Sequence, residues 1–350
     1  MEIFNTMGDM KRALLGLLGL GLVGWAWAQP QAGEYPYRSP AFTTWVQDSY
    51  RESPAQGVQP FYAWFEAAYA KTPQAKLEGY PNLGLMAALA QRKKELAALR
   101  DPAAKTKLEL ETGAWLHRLV KATLLKFSLE RGYEFTYAVT RSERQCLLQS
   151  VLIAGMLQQM GIEAGAYMVW KNQQGQVSNL GHVTAIIKLS DGRDVEIDAS
   201  EPTPFFTHQG IFAPIQGKYQ FAEPVFNPDH TISGYKLVAT GQVVKPRAVT
   251  PLSFDYLRSQ FYYYRGERAP GGFLAAPKTP EGLAASERFL RQAVKYAPEN
   301  PLATYVLGLV LQREGKAEEA RAYIRKGYAL YEQYGYVPDG PKAAFAAASR

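Results

Sequence analysis

Thiols and imidazoles are scarce in this chain. Its 350 residues hold one cysteine, Cys146, and four histidines, His117, His182, His208 and His230. One cysteine excludes an internal disulfide framework and any cysteine-rich metal site. No HExxH spacing occurs, so no metal site and no cofactor are expected. After residue 28 no apolar run is long enough to span a bilayer, so no transmembrane anchor is expected in the mature chain. Like-charge runs are missing too. The net charge of +7 is spread along the chain, and with no nucleic-acid motif present, nucleic acid is not an expected partner.

The N-terminus supplies what the rest lacks. Lys11 and Arg12 precede an apolar run from Ala13 to Trp25, with small residues at Ala26 and Ala28. That is the pattern of a secretory signal peptide over residues 1–28, cleaved after Ala28. Glu2 and Asp9 are foreign to such a segment and place the expected start at Met7 or Met10. Loss of residues 1–28 removes two acids and two bases, so the mature net charge stays at +7. An exported, periplasmic or extracellular protein is expected.

At 47% hydrophobic residues the chain can bury a large core. Residues 29–60, rich in Pro, Gly, Tyr and Ser, read as an extended lead-in, and helices follow to complete a first region over 29–95. "PFYAWFEAAYAKTP", "LGLMAALAQRKKELAALRDP" and "KTKLELETGAWLHRLVKATLLKFSLERG" all carry helical spacing. After the cysteine segment the period falls to two. "EAGAYMVWK", "HVTAIIKL" and "DVEID" read as strands separated by "NQQGQVSN" and "SDGR" turns, with more strands such as "GYKLVATGQVV" beyond. Helices followed by antiparallel strands predict an α+β domain over 96–250.

From Leu252 the pattern is helical again, giving a third region over 251–350. Within "NPLATYVLGLVLQREGKAEEARAYIRKGYAL", Leu307, Gly308, Gly315, Ala320, Ile324 and Gly327 sit at the spacings of a tetratricopeptide repeat. "SERFLRQAVKYAPENP" resembles the second helix of a preceding unit. So short an array is expected to dock on the rest of the chain, with a groove for a protein partner as the alternative.

Ser142 followed by Gln145 fits a capping box, which predicts a helix start at Ser142 and Cys146 at the end of its first turn. Unpaired N–H groups there favour a thiolate, and Arg141 and Arg144 add positive charge. The following residues, Leu147 to Met160, are apolar almost all round, as in a buried helix. Cysteine is also common as a plain packing residue. His182 opens one predicted strand and Asp198 closes the next, 16 residues later, so both fall on one face at the same end of a hairpin. A thiol, an imidazole to take its proton and a carboxylate to orient the ring make a nucleophilic set. His117 is expected on a solvated helix face, and His208 and His230 in loops.

The ordered pieces "RQCLLQSVLIAGMLQQMGIEAGAYMVW", "GHVTAIIKL" and "VEIDASEP" resemble the transglutaminase-like superfamily, whose core is a papain-like Cys-His-Asp fold. The likeness covers about residues 100–205. It implies a nucleophile role for Cys146, a general-base role for His182 and an orienting role for Asp198. Many members carry a small residue before the cysteine, where this chain has Arg144 and Gln145. The second oxyanion donor stays open among Gln145, Tyr133 and Tyr137. The function implied is an exported cysteine hydrolase or acyltransferase acting on amide bonds of a protein, a peptide or cell-wall peptide. The alternative is the same fold without chemistry, serving as an envelope binding or assembly module. Another papain-like peptidase family ranks third.

Overall fold

Short polar-proline pairs start the helices. In the computed structural model, which describes residues 34–53 and 57–349, Ser39 caps α1 (Pro40–Glu52) by accepting from the Phe42 N–H at 3.2 Å. The same device, a short side chain at the cap and proline at the first helical position, starts three more helices. Asp101 caps α4 (Pro102–Thr123), Thr279 caps α8 (Pro280–Tyr296) and Asn300 caps α9 (Pro301–Arg313). Between these lie α2 (Phe61–Lys71), α3 (Leu85–Ala98), α5 (Phe135–Arg141), α6 (Cys146–Gln159) and α7 (Phe254–Glu267). α10 (Ala317–Gln333) and α11 (Asp339–Ala348) complete the helices of the described residues. The expected signal segment lies outside the described residues.

Two short strands, β1 (Lys126–Phe127) and β2 (Glu143–Arg144), pair in parallel just before α6. The main sheet holds β3 (Ala164–Lys171), β4 (Val177–Lys188), β5 (Asp194–Ile197), β6 (Gly210–Ile215), β7 (Lys218–Phe226), β8 (Ile232–Leu237) and β9 (Val243–Val244). Its order is β5-β4-β3-β6-β7-β8-β9, antiparallel throughout, and Asp194 of β5 also pairs with Ile232 of β8. That extra pairing closes the sheet into a barrel, which leaves no long open edge. The architecture is α+β: helices on either side of the strands in sequence, around an antiparallel barrel.

Strand alternation gives the barrel two faces. Tyr167, Ile186, Ile211 and Tyr235 form one apolar cluster, while Val195, Ile197, Met168 and Ala185 join the larger core shared with the helices. α6 is buried from Cys146 to Leu157 at the centre of that larger core. Ser150 of α6 donates to the Val183 carbonyl of β4 at 3.1 Å. Opposite, Tyr37 N–H donates to the Gly155 carbonyl at 2.8 Å. Glycine is required there: a Cβ on Gly155 would lie 2.9 Å from the Phe42 ring.

Three expectations about where elements begin differ from the structure. Residues 40–52 are helical rather than extended, because Phe42 and Trp45 point inward, Trp45 meeting Phe254 and Phe261 of α7 at ring distances of 5.8 and 5.6 Å. Ser142 does not start α6; it ends α5 in a left-handed conformation with φ 54°, and its hydroxyl donates to the Thr123 carbonyl. Gln145 caps α6 instead, accepting from the Leu147 N–H at 3.2 Å, so Cys146 is the first helical residue. β4 begins at Val177, which puts His182 within the strand rather than at its head.

The helices after Leu252 pack on the barrel and on α1. Leu252 N–H donates to the Ala166 carbonyl of β3 at 3.0 Å, and the Tyr334 ring meets Phe212 of β6 at a tilt of 53°, ring centroids 5.4 Å apart. A buried ion pair holds α7 in place. Arg265 donates to both carboxylate oxygens of Glu134, at 2.6 and 2.9 Å, and to the Asp48 carbonyl.

Candidate active site

α6, β4 and β5 bring the three residues singled out in the sequence into one cluster. The register that pairs Ile186 with Glu196 puts even-numbered residues of β4 and β5 on one face, so His182 and Asp198 share a side. The His182 Nε2–H donates to Asp198 Oδ2 at 2.7 Å. With Nε2 engaged, Nδ1 is the nitrogen left for the sulfur, and Cys146 is a charge and hydrogen-bond partner of the ring. The cysteine is 3% exposed. As the first residue of α6 it sits where backbone N–H groups lack intrahelical partners and the helix dipole is positive.

Electrostatics tie the three together. Burial works against a charged His182, but the Asp198 carboxylate and the Cys146 sulfur outweigh it and hold the imidazole pKa well above its usual value. Burial would likewise raise Asp198. The His182 charge and hydrogen bond, the His208 charge and the Ser200 N–H together bring it well below the usual carboxylate range. Asp198 is fully buried, and its other oxygen, Oδ1, accepts from Ser200 N–H at 2.8 Å and from Gln149 Nε2 at 3.0 Å. Gln149, one turn along α6 from the thiol, is in turn held by Arg144 Nε at 3.2 Å. Arg144 therefore does not reach the sulfur. Its remaining donors go to the Leu124 and Ala199 carbonyls.

Two neighbours were missed by sequence reasoning. His208, expected in a loop of no consequence, is buried with its Nδ1 2.6 Å from Glu196 Oε2 and its Nε2 3.5 Å from Asp198 Oδ2. Its ring centroid lies 5.0 Å from that of His182. The signal present in the sequence was the "DVEID" alternation, which puts Asp194, Glu196 and Asp198 on one face, each needing a partner. Tyr264 of α7 is the other. Its hydroxyl lies 3.6 Å from Cys146 Sγ and donates to the Gly181 carbonyl, and its ring stacks on Tyr133 at 5.5 Å.

The other sequence candidates lie elsewhere. His117 is buried rather than solvated, with Nε2 3.1 Å from the Glu201 carbonyl, because α4 packs against the loop after β5. Tyr137 packs against the Arg131 and Arg141 guanidinium groups. Among the described residues, no helix is long and apolar enough to cross a membrane.

No family model matches the chain, and no curated protein matches it. Among solved structures the chain is similar to menin, in the structure described as revealing the binding site for the Mixed Lineage Leukemia (MLL) protein. That likeness has a TM-score of 0.41 and 12% identity, and covers 86% of this chain. The chain spans 64% of the length of that menin chain. A likeness of this size assigns neither family nor activity. Fold and cluster together define an α+β protein with a buried thiol–imidazole–carboxylate set.

Proposed function

We propose that the protein is an exported cysteine hydrolase or acyltransferase of transglutaminase-like type, acting on amide bonds of a protein, a peptide or cell-wall peptide. The observation that carries this reading is the continuous chain from the Cys146 sulfur through His182 to the buried Asp198 carboxylate. The N–H of Cys146 at the start of α6 supplies one oxyanion donor. The sulfur, its proton held by His182, attacks the amide carbonyl. The imidazolium then protonates the departing amine, leaving a thioester. Water or a second amine, deprotonated by His182, attacks the thioester and releases the thiol. Asp198 holds the ring with Nδ1 toward the sulfur throughout.

In this reading α9 and α10 form a tetratricopeptide-like pair, supported by Gly308 and Gly327 at their contact, and offer a place for a protein partner. Residues 1–28 direct export.

A second reading has an observation of its own. The sulfur is almost fully covered and lies beneath the Tyr264 hydroxyl, as suits a fold without chemistry that serves as a binding module. Alkylation separates the two. Iodoacetamide at neutral pH is expected to label Cys146 faster than a free cysteine peptide, and His182→Ala to slow it below that reference. Labelling no faster than the peptide, and unchanged by His182→Ala, establishes the binding module instead.

A further inference from the structure

We propose that His182, Asp198 and His208 form a binding site for one zinc-type divalent cation, and that its occupancy switches the Cys146 centre off. The binding site stands on geometry alone; the switching rests on the thiol reading above.

Each of the three residues offers one ligand atom, and these atoms all lie within 4.8 Å of one another. Asp198 Oδ1 is committed to Ser200 and Gln149, so Oδ2 is the oxygen that both rings face through Nε2, at 2.7 and 3.5 Å. The His208 ring is fixed from behind by Glu196 at its Nδ1. A carboxylate in that position sets the tautomer that turns the Nε2 lone pair toward an ion, and it raises the ligand's basicity. Glu196 is bonded only through Oε2, and its Oε1 is buried without a hydrogen-bond partner beside the cluster. The Arg144 guanidinium, whose charge acts on Asp198 from a distance, spends its donors on Gln149 and on two carbonyls. A cation placed between the rings answers both facts.

Two imidazoles and one carboxylate suit zinc or cobalt, not calcium or magnesium, which take oxygen ligands. His182, 26% exposed, provides the way in and an open fourth position for water. With Nε2 turned to the cluster, the other nitrogen of the His182 ring is left for the sulfur, which supplies no ligand atom. Proton placement then gives the switch. An ion on Nε2 takes the lone pair there and moves the neutral ring's one proton to Nδ1, the atom that must accept from the thiol, so the sulfur keeps its own proton. The nucleophile is left without a base.

The test uses the full chain, stripped of metal, carrying Cys146→Ser so that sulfur cannot bind. Titration with Co²⁺, followed by visible absorption, is expected to reach one ion per chain with tetrahedral bands, and Zn²⁺ to displace it. His208→Gln in the same background is expected to weaken binding at least ten-fold, and Glu196→Gln by about 10- to 100-fold. Absence of the bands, or affinity in both variants unchanged from the Cys146→Ser background, overturns the site. Should His208→Gln melt early, Glu196→Gln and the rise of the wild-type melting temperature with Zn²⁺ decide. The switch is read separately, as Zn²⁺ slowing iodoacetamide labelling of wild-type Cys146. Cobalt bands with an unreactive metal-free thiol would sink the enzyme reading and leave the site standing. Rapid labelling that ignores saturating Zn²⁺ would sink the switch.

Discussion

The Tyr264 hydroxyl rests 3.6 Å from the Cys146 sulfur, although 118 residues separate the two in sequence. Its single proton goes to the Gly181 carbonyl, so it turns an oxygen lone pair toward the sulfur. That contact covers the nucleophile and repels negative charge on it. Tyr264→Phe keeps the ring against Tyr133 and removes only the oxygen. A hydrogen bond of about 0.5–1.5 kcal/mol is lost, so iodoacetamide labelling of Cys146 should quicken about two- to ten-fold. Slower labelling in the variant would mean that the hydroxyl assists the thiolate.

Asp198→Asn tests the other end of the chain. The amide keeps the shape that Gln149 and Ser200 hold, but the charge facing His182 is gone. Amide turnover should fall about 10²- to 10⁴-fold, the range for losing a positioned acid–base partner. A loss below three-fold in a variant that melts normally would show that the carboxylate is structural.

Much of this arrangement was legible locally. Period two marked β3 and β5, helical spacing marked α2 to α4, and the even separation of His182 and Asp198 placed them on one face. What failed needed partners from afar. In "DVEID" the alternation puts three acids on one face, and the closed barrel turns that face inward. Asp194 meets Lys188 at 2.8 Å and Tyr235 at 2.7 Å, Glu196 meets His208, and Asp198 meets His182. Barrel closure depends on Asp194 pairing with Ile232, which no local window contains. Likewise the capping box at Ser142 lost because residues 143–144 must stay extended to pair with 126–127. Tyr264 gave no sign, since the packing of α7 on α1 and α6, distant in sequence, aims it at the sulfur.

Glu267 gives a pH test away from the thiol. It is 16% exposed, and burial raises its pKa despite the Tyr263 hydroxyl at 2.6 Å and the nearby Arg268. A carboxyl raised in the fold favours its neutral form there. Its contribution is therefore most favourable below the unfolded value of about 4.3 and declines as pH rises through the folded value. Glu267→Gln keeps the acceptor for Tyr263 and cannot ionise. Its melting temperature should gain on the wild type between pH 4 and pH 7. A wild type that gains instead would show that Arg268 outweighs burial.

The C-terminal helices should unfold with the barrel rather than before it. A Cβ on Gly308 would lie 2.7 Å from Ile324 Cγ1, 2.8 Å from the Ile324 nitrogen and 3.1 Å from the Ala320 carbonyl, so α9 and α10 must separate to admit it. Gly308→Ala is expected to cost about 1–3 kcal/mol. Every tryptophan in the chain lies at or before Trp170, while the altered contact lies beyond residue 300. Trp170 nevertheless meets Tyr336 at 4.7 Å, and Tyr219 of β7 donates to Glu299 at 3.3 Å, so the two regions share side-chain contacts. Tryptophan fluorescence and far-ultraviolet circular dichroism should therefore report one transition, shifted down together by roughly 2–4 °C for each kcal/mol lost. A dichroism transition that moves while fluorescence stays put would make the helices beyond Leu252 an independent unit.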